Sequence, residues 1–200
     1  PDAIVDALSD AGVDMLLTAN NHSYDRGHNG LIRTQEVIDN AGLLHLGTRT
    51  SEETPFYNVI DINGIKIGMV CYTYSSGLDG KGIPRLNGNS PVENEQLVNW
   101  FFNRNPQKMY DEVEIILQEM EDAGAEINMM FIHWGNEYEL TENNFQNMQA
   151  QALCDLGVDV IVGGHPHVVQ PVEVLTSTTN PDHNTICIYS LGNAVSNQRT

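Results

Sequence analysis

Val158-Asp159-Val160-Ile161-Val162-Gly163-Gly164-His165-Pro166-His167 is the stretch on which the fold is decided. A short apolar run that stops at paired glycines reads as a buried strand, and the polar residues after it read as a loop. Just upstream, Phe145, Met148, Ala152, Leu153 and Leu156 recur at helical spacing, with Gly157 placed to end the helix. The same order appears once before. Val113, Ile116, Leu117 and Met120 predict a helix, and Ile127 to Ile132 predict a strand that ends at His133. Helices alternating with buried strands imply an α/β fold with a largely parallel inner sheet.

Working outward, Ile4, Val5, Leu8 and Ala11 predict a first helix stopped by Gly12, and Pro1-Asp2-Ala3 reads as its first turn. Val13 to Ala19 is a strand that runs into Asn20-Asn21-His22. Leu31, Thr34, Val37, Ile38 and Ala41 form an amphipathic helix closed by Gly42, and Leu43 to Leu46 is another short strand. Asn63-Gly64, between apolar runs from Phe56 to Tyr74, signals a hairpin, which makes the sheets mixed. Residues 75–105 are rich in Gly, Asn and Pro and predict a long surface excursion with a short helix near Val98 to Phe102. Val168 to Leu175 and Thr185 to Tyr189 are the last strands, the second running into Ser190-Leu191-Gly192-Asn193. No internal repeat is visible, and residues 1–200 are expected to form one domain.

Composition narrows the function. The 200 residues carry 27 acidic and 9 basic side chains, a formal charge of −18, which repels nucleic acid and attracts cations. No run approaches the ~18 apolar residues of a membrane-spanning helix. Cys71, Cys154 and Cys187 lie far apart in apolar segments and are expected to be buried thiols.

The polar clusters share a position. Asn20-Asn21-His22, His133-Trp134-Gly135, Gly164-His165-Pro166-His167 and Gly192-Asn193 each follow a predicted buried strand. In open α/β sheets, ligands bind beyond the carboxyl ends of the strands. Imidazoles suit Zn, Fe, Mn and Ni, and Pro166 stiffens the backbone between two of them. The amide of Asn21 is a neutral oxygen donor, and His22 beside it could pass a proton to a leaving oxygen. Read alone, Asn20-Asn21 is equally a turn pair. His28, His45 and His183 read as ordinary loop or core histidines.

These residues carry a resemblance. Asn-Asn-His-x-x-Asp-x-Gly at 20–27, His133-Trp134-Gly135-x-Glu137-Tyr138, Gly164-His165-Pro166-His167-Val168-x-Gln170-Pro171 and Tyr189-Ser190-Leu191-Gly192-Asn193 look like the signature of the CapA family, the poly-γ-glutamate capsule biosynthesis proteins. That family is similar to the calcineurin-like metallophosphoesterases. The resemblance implies a four-layer α/β/β/α sandwich with mixed sheets and a dinuclear centre of divalent ions, Mn, Fe or Zn. It implies Asn21, His133, His165 and His167 as metal ligands, with His22 and Asp25 as the catalytic pair. Asn20, Arg26, Trp134, Glu137, Tyr138 and Asn193 would contact substrate. The superfamily's early Asp-x-His and Gly-Asp motifs are not present. The chain begins without Met, so it is expected to be an N-terminally shortened piece whose metal site is only partly filled.

Two functions follow from the resemblance. One is a metal-dependent, phosphoesterase-like hydrolase acting on a cell-envelope polymer or its precursor. The other is a non-catalytic, surface-anchored scaffold working with the membrane-bound subunits of a capsule synthase. Poly-γ-glutamate is itself an anion, so a chain of −18 requires cations or a local basic patch to hold it, with Arg26, Arg33 and Arg85 as candidates. The family places the full-length protein outside the membrane and tethered to it.

Overall fold

The computed structural model describes residues 2–88 and 91–196. In chain order the elements are α1 (Ala3–Asp10), β1 (Met15–Leu17), α2 (Gly27–Asn40), β2 (Leu44–Leu46), β3 (Tyr57–Ile62), β4 (Ile65–Tyr74), β5 (Gly77–Leu78), β6 (Pro84–Arg85), β7 (Trp100–Phe101), α3 (Gln107–Asp122), β8 (Ile127–His133), α4 (Asn144–Leu156), β9 (Val160–Gly164), β10 (Val172–Thr176) and β11 (Asn184–Ile188). The sequence punctuation is found in place. Gly12, Gly42 and Gly157 follow their helices with φ of 85°, 74° and 102°, the left-handed region that only glycine enters at little cost. Asn63 and Gly64 turn the β3–β4 hairpin with φ of 54° and 91°, both positive as a type I′ turn requires. Pro1, read above as part of the first turn, lies outside the described residues.

The chain divides into two compact units, Pro1–Asn58 with Met69–Asn105, and Val59–Gly68 with Pro106–Thr200. In the first, β1 and β2 pair in parallel, Leu16 opposite His45. α1 places none of its residues in the core. α2 buries Leu31, Gln35 and Ile38. Leu31 joins Tyr24, Leu86, Val92, Leu97 and Val98 in a buried cluster.

That cluster corrects the expectation for residues 75–105. They are not a loose surface excursion, and Val98 to Phe102 is not helical. A single 3-10 turn covers Glu95–Leu97, and β7 then pairs in parallel with β4, Thr73 opposite Trp100. Trp100 and Phe101 are buried. Large apolar residues two or three apart, broken by Asn and Pro, bury one at a time without needing a regular period.

In the second unit β10, β11, β9 and β8 lie side by side in that order. β8, β9 and β11 are mutually parallel, with His133 opposite Gly164 and Val162 opposite Ile188, and β10 runs antiparallel to β11. The carboxyl ends of β8, β9 and β11 therefore share one edge. Burial alternates along β8, with Asn128, Met130 and Ile132 inward, as period-2 geometry demands. α3 buries Met109, Val113, Ile116, Leu117 and Met120. α4 starts at a reciprocal cap in which Asn143 and Gln146 bond each other's backbone NH groups, and it packs against α3, β10 and β11. The fold class is thus α/β with mixed pairing. All three cysteines are buried thiols, and no helix of the described residues is long and apolar enough to cross a membrane.

Candidate functional site

The first unit carries Asn20, Asn21, His22, Asp25 and Arg26 in the loop after β1. Local bonds shape it. Ser23 Oγ donates to Asn20 O at 2.7 Å and accepts from Asn20 N at 2.8 Å, while Asn20 Oδ1 accepts from His22 N at 2.8 Å. This is the turn chemistry that Asn and Ser supply from their own side chains. Asn21 is buried, and the His22 side chain is 61% exposed. His22 Nδ1 lies 2.7 Å from Asp25 Oδ2 and 3.1 Å from Asn87 Nδ2. Asn87 carries no site motif in the sequence. Its one sequence signal is the Asn87-Gly88 turn pair. Arg26 is exposed at the start of α2, and Arg33 pairs with Asp2 at 2.8 Å.

The second unit carries the other histidines on its shared strand edge. His133 is the last residue of β8, and His165 follows directly on β9. The rings of His133 and His165 lie 4.8 Å apart, and those of His165 and His167 lie 6.1 Å apart, both pairs tilted. His165 is buried. His167 Nδ1 donates to Asn193 Oδ1 at 2.8 Å, a bond that leaves Nε2 as the basic nitrogen. Tyr138 stacks on His167 at 5.8 Å, and its NH donates to Pro166 O at 2.8 Å. Tyr138, His165 and His167 have φ of 64°, 97° and 63°, conformations that cost non-glycine residues energy and that persist where surroundings impose them. Glu137 is exposed in the same loop.

Trp134 stands apart from the other expected substrate contacts. It is fully buried, its indole NH donates to Tyr189 O at 2.9 Å, and its ring stacks on Tyr189. Gly163 lies so close to both that a Cβ there would collide with Tyr189 O and with the indole nitrogen of Trp134. Burial pushes the Tyr189 hydroxyl up, the neighbouring Cys187 thiol adding to it, and burial with Glu173 pushes Cys187 up to about 12. Both groups therefore stay neutral through the physiological range.

Two buried glutamines brace the 134–143 loop. Gln146 Nε2 donates to Gln170 Oε1 at 2.9 Å, and Gln170 Nε2 donates to Glu139 O at 2.9 Å and Thr141 O at 3.0 Å. Gln146 also faces Gly135, where a Cβ would come within 2.7 Å of its amide oxygen. Gln170 lies within the Gly164–Pro171 motif, and the motif alone gives no sign of this bracing role. His28, His45 and His183 have ordinary neighbours: Asn94 at 2.9 Å, Asp39 at 3.4 Å and Val158 O at 3.1 Å.

His133, His165 and His167 form a donor set of three imidazoles, the type that divalent transition ions accept. Among the described residues no group of three or more His, Cys, Asp or Glu side chains is arranged to hold a metal ion. The donor chemistry fits a metal in kind, while the spacing of the rings falls short of a formed coordination shell.

Over 96% of its length the chain superposes on 30% of the sulfate thiohydrolase SoxB of Thermus thermophilus, solved with glycerol, at TM-score 0.58 and 16% identity. The chain is therefore a mixed α/β protein with the calcineurin-like metallophosphoesterase fold. It belongs to the family described as bacterial capsule synthesis protein PGA_cap, whose profile matches residues 1–198. Its sequence is similar to the PGA biosynthesis protein CapA of Bacillus subtilis (strain 168), at 29% identity over 97% of this chain and 45% of that protein. It is also similar to the capsule biosynthesis protein CapA of Bacillus anthracis, at 27% identity over 97% of this chain and 43% of that one. The chain thus spans less than half the length of these relatives.

Proposed function

We propose that this chain is the histidine-bearing part of a metal-dependent, phosphoesterase-like hydrolase of capsule or poly-γ-glutamate biosynthesis, acting at the cell envelope on an anionic polymer or its precursor. The observation that carries the reading is the gathering of His133, His165 and His167 at the carboxyl ends of β8 and β9, with Asn193 holding the Nδ1 proton of His167. The names of the relatives support the capsule pathway, and the SoxB-like fold supports hydrolysis.

In this reading His133, His165 and His167 would hold a divalent metal, Mn, Fe or Zn, and Asn21 is the metal-ligand candidate of the first unit. A bound ion would supply Lewis acidity there. Asp25 orients His22, which delivers a proton to the leaving oxygen. Tyr138 presents an exposed ring, and Asn20, Arg26, Glu137 and Asn193 offer polar contacts to substrate. Trp134 acts by holding the corner in shape. With a charge of −18, the chain binds an anionic polymer through bridging cations, alongside membrane-bound synthase subunits.

The test measures metal content and hydrolysis of a generic phosphodiester in the wild type and in a His165→Ala/His167→Ala variant. Loss of both in the variant is the expected result. Full metal occupancy in the wild type without turnover would replace the hydrolase with a surface-anchored scaffold of the same synthesis complex.

A further inference from the structure

One nitrogen of His22 faces two side chains of opposite character. Asp25 Oδ2 stands 2.7 Å from Nδ1, and Asn87 Nδ2 stands 3.1 Å from the same atom. A carboxylate only accepts, and an amide NH2 only donates. A protonated Nδ1 donates to Asp25, and a bare Nδ1 accepts from Asn87. These are the two neutral tautomers of His22. The first leaves Nε2 bare, and the second puts the proton on Nε2.

The placement of Asn87 is built into the first unit. Its φ of 53° and that of Gly88, 66°, make a left-handed turn. Gly88 N donates to Ser76 Oγ at 2.8 Å. Leu86 on one side and Val92 on the other are each 1% exposed, in the cluster that contains Tyr24, two residues beyond His22. A residue 65 positions away in sequence is thereby fixed against the imidazole.

We propose that Asn87 is a positioning residue that sets the tautomer of His22, holding a share of the neutral ring with its proton on Nε2 against the opposite preference of Asp25. The inference bears on the proton-donor role proposed for His22, because only the Asn87-bound tautomer carries a transferable proton on Nε2 while the ring is neutral. It is measured without any turnover.

The experiment is long-range proton–nitrogen NMR on the 15N-histidine-labelled chain, at a pH where the imidazoles are neutral. In the wild type both His22 nitrogens should resonate between the protonated and bare extremes. Asn87→Gly keeps the left-handed backbone and removes the amide, and should move Nδ1 to the protonated extreme and Nε2 to the bare one. Asp25→Ala should move both the other way. Asn87→Asp, which preserves side-chain shape and supplies only acceptors, should repeat the Asn87→Gly shift and covers the case in which the glycine variant loses its native amide spectrum. Unchanged His22 shifts in a natively folded Asn87 variant would overturn the proposal, whatever the hydrolysis assay shows. Absent hydrolysis with the shifts as expected would sink the enzymatic role and leave the tautomer assignment standing.

Discussion

The loop at 20–25 and the corner built from 133–138 and 163–167 both present histidines after a strand, yet they are held by opposite means. In the loop, Ser23, Asn20, His22 and Asp25 bond one another across two or three positions of sequence. In the corner, the bonds span 55 positions for Trp134 and Tyr189, 24 for Gln146 and Gln170, and 26 for His167 and Asn193. The loop is a turn shaped by its own side chains. The corner exists only when the second unit is folded, and three non-glycine residues there hold positive φ because surrounding packing outweighs the local cost.

If that contrast is right, changes under the corner should be far more damaging than changes in the loop. The largest effect is expected for Trp134→Ala, which empties a fully buried site and leaves Tyr189 O without its donor. About 3–5 kcal/mol should be lost, read from the urea midpoint. Gly163→Ala should cost about 1–3 kcal/mol by forcing Tyr189 and Trp134 aside, and near-UV circular dichroism should register the displaced indole. Gln170→Leu strands the Gln146 amide and the Glu139 and Thr141 carbonyls, at a cost of about 1–3 kcal/mol. A Tyr138 ring still stacked on His167 in that variant, seen as an unchanged ring-current shift, would show that the glutamine brace does not position the loop. Asn20→Ala should cost only about 1 kcal/mol, since it removes one local turn bond that water replaces. A cost equal to that of Trp134→Ala would erase the distinction.

The smallest expected effect concerns acid. Burial raises the Asp155 carboxyl, but bonds from Thr178, Gln151 and Ser177 outweigh it and hold the carboxyl below its ordinary 3.8. A depressed folded value gives stability that is present above the ordinary value and lost as pH falls through the folded one. Asp155→Asn should therefore flatten the acid limb of the stability curve below about pH 4 and leave the neutral region unchanged in slope. An acid limb identical to the wild type would remove Asp155 from the account.

Much of this was legible in the residues. Helix stops at Gly12, Gly42 and Gly157 and the Asn63-Gly64 hairpin are local signals, because each depends on which residues tolerate positive φ. The placement of His133, His165 and Asn193 after strands followed from apolar runs of strand length. The structure adds that β8, β9 and β11 are parallel, so that their ends share an edge. What escaped was non-local. Asn87 meets His22 through a segment whose apolar residues follow no period, and Trp134 reads as a pocket residue until Gly163 and Tyr189 are seen to enclose it.

By itself, the sequence determined the alternation of helix and strand, the turn chemistry around His22 and membership of the capsule synthesis family, since these depend on neighbours a few residues apart or on motifs kept in order. Only the tertiary structure decided which nitrogen of His167 stays basic, what braces the Tyr138 loop and which side chain competes with Asp25 for His22. Those are settled by contacts between residues 24 to 65 positions apart, which no local pattern of residues encodes.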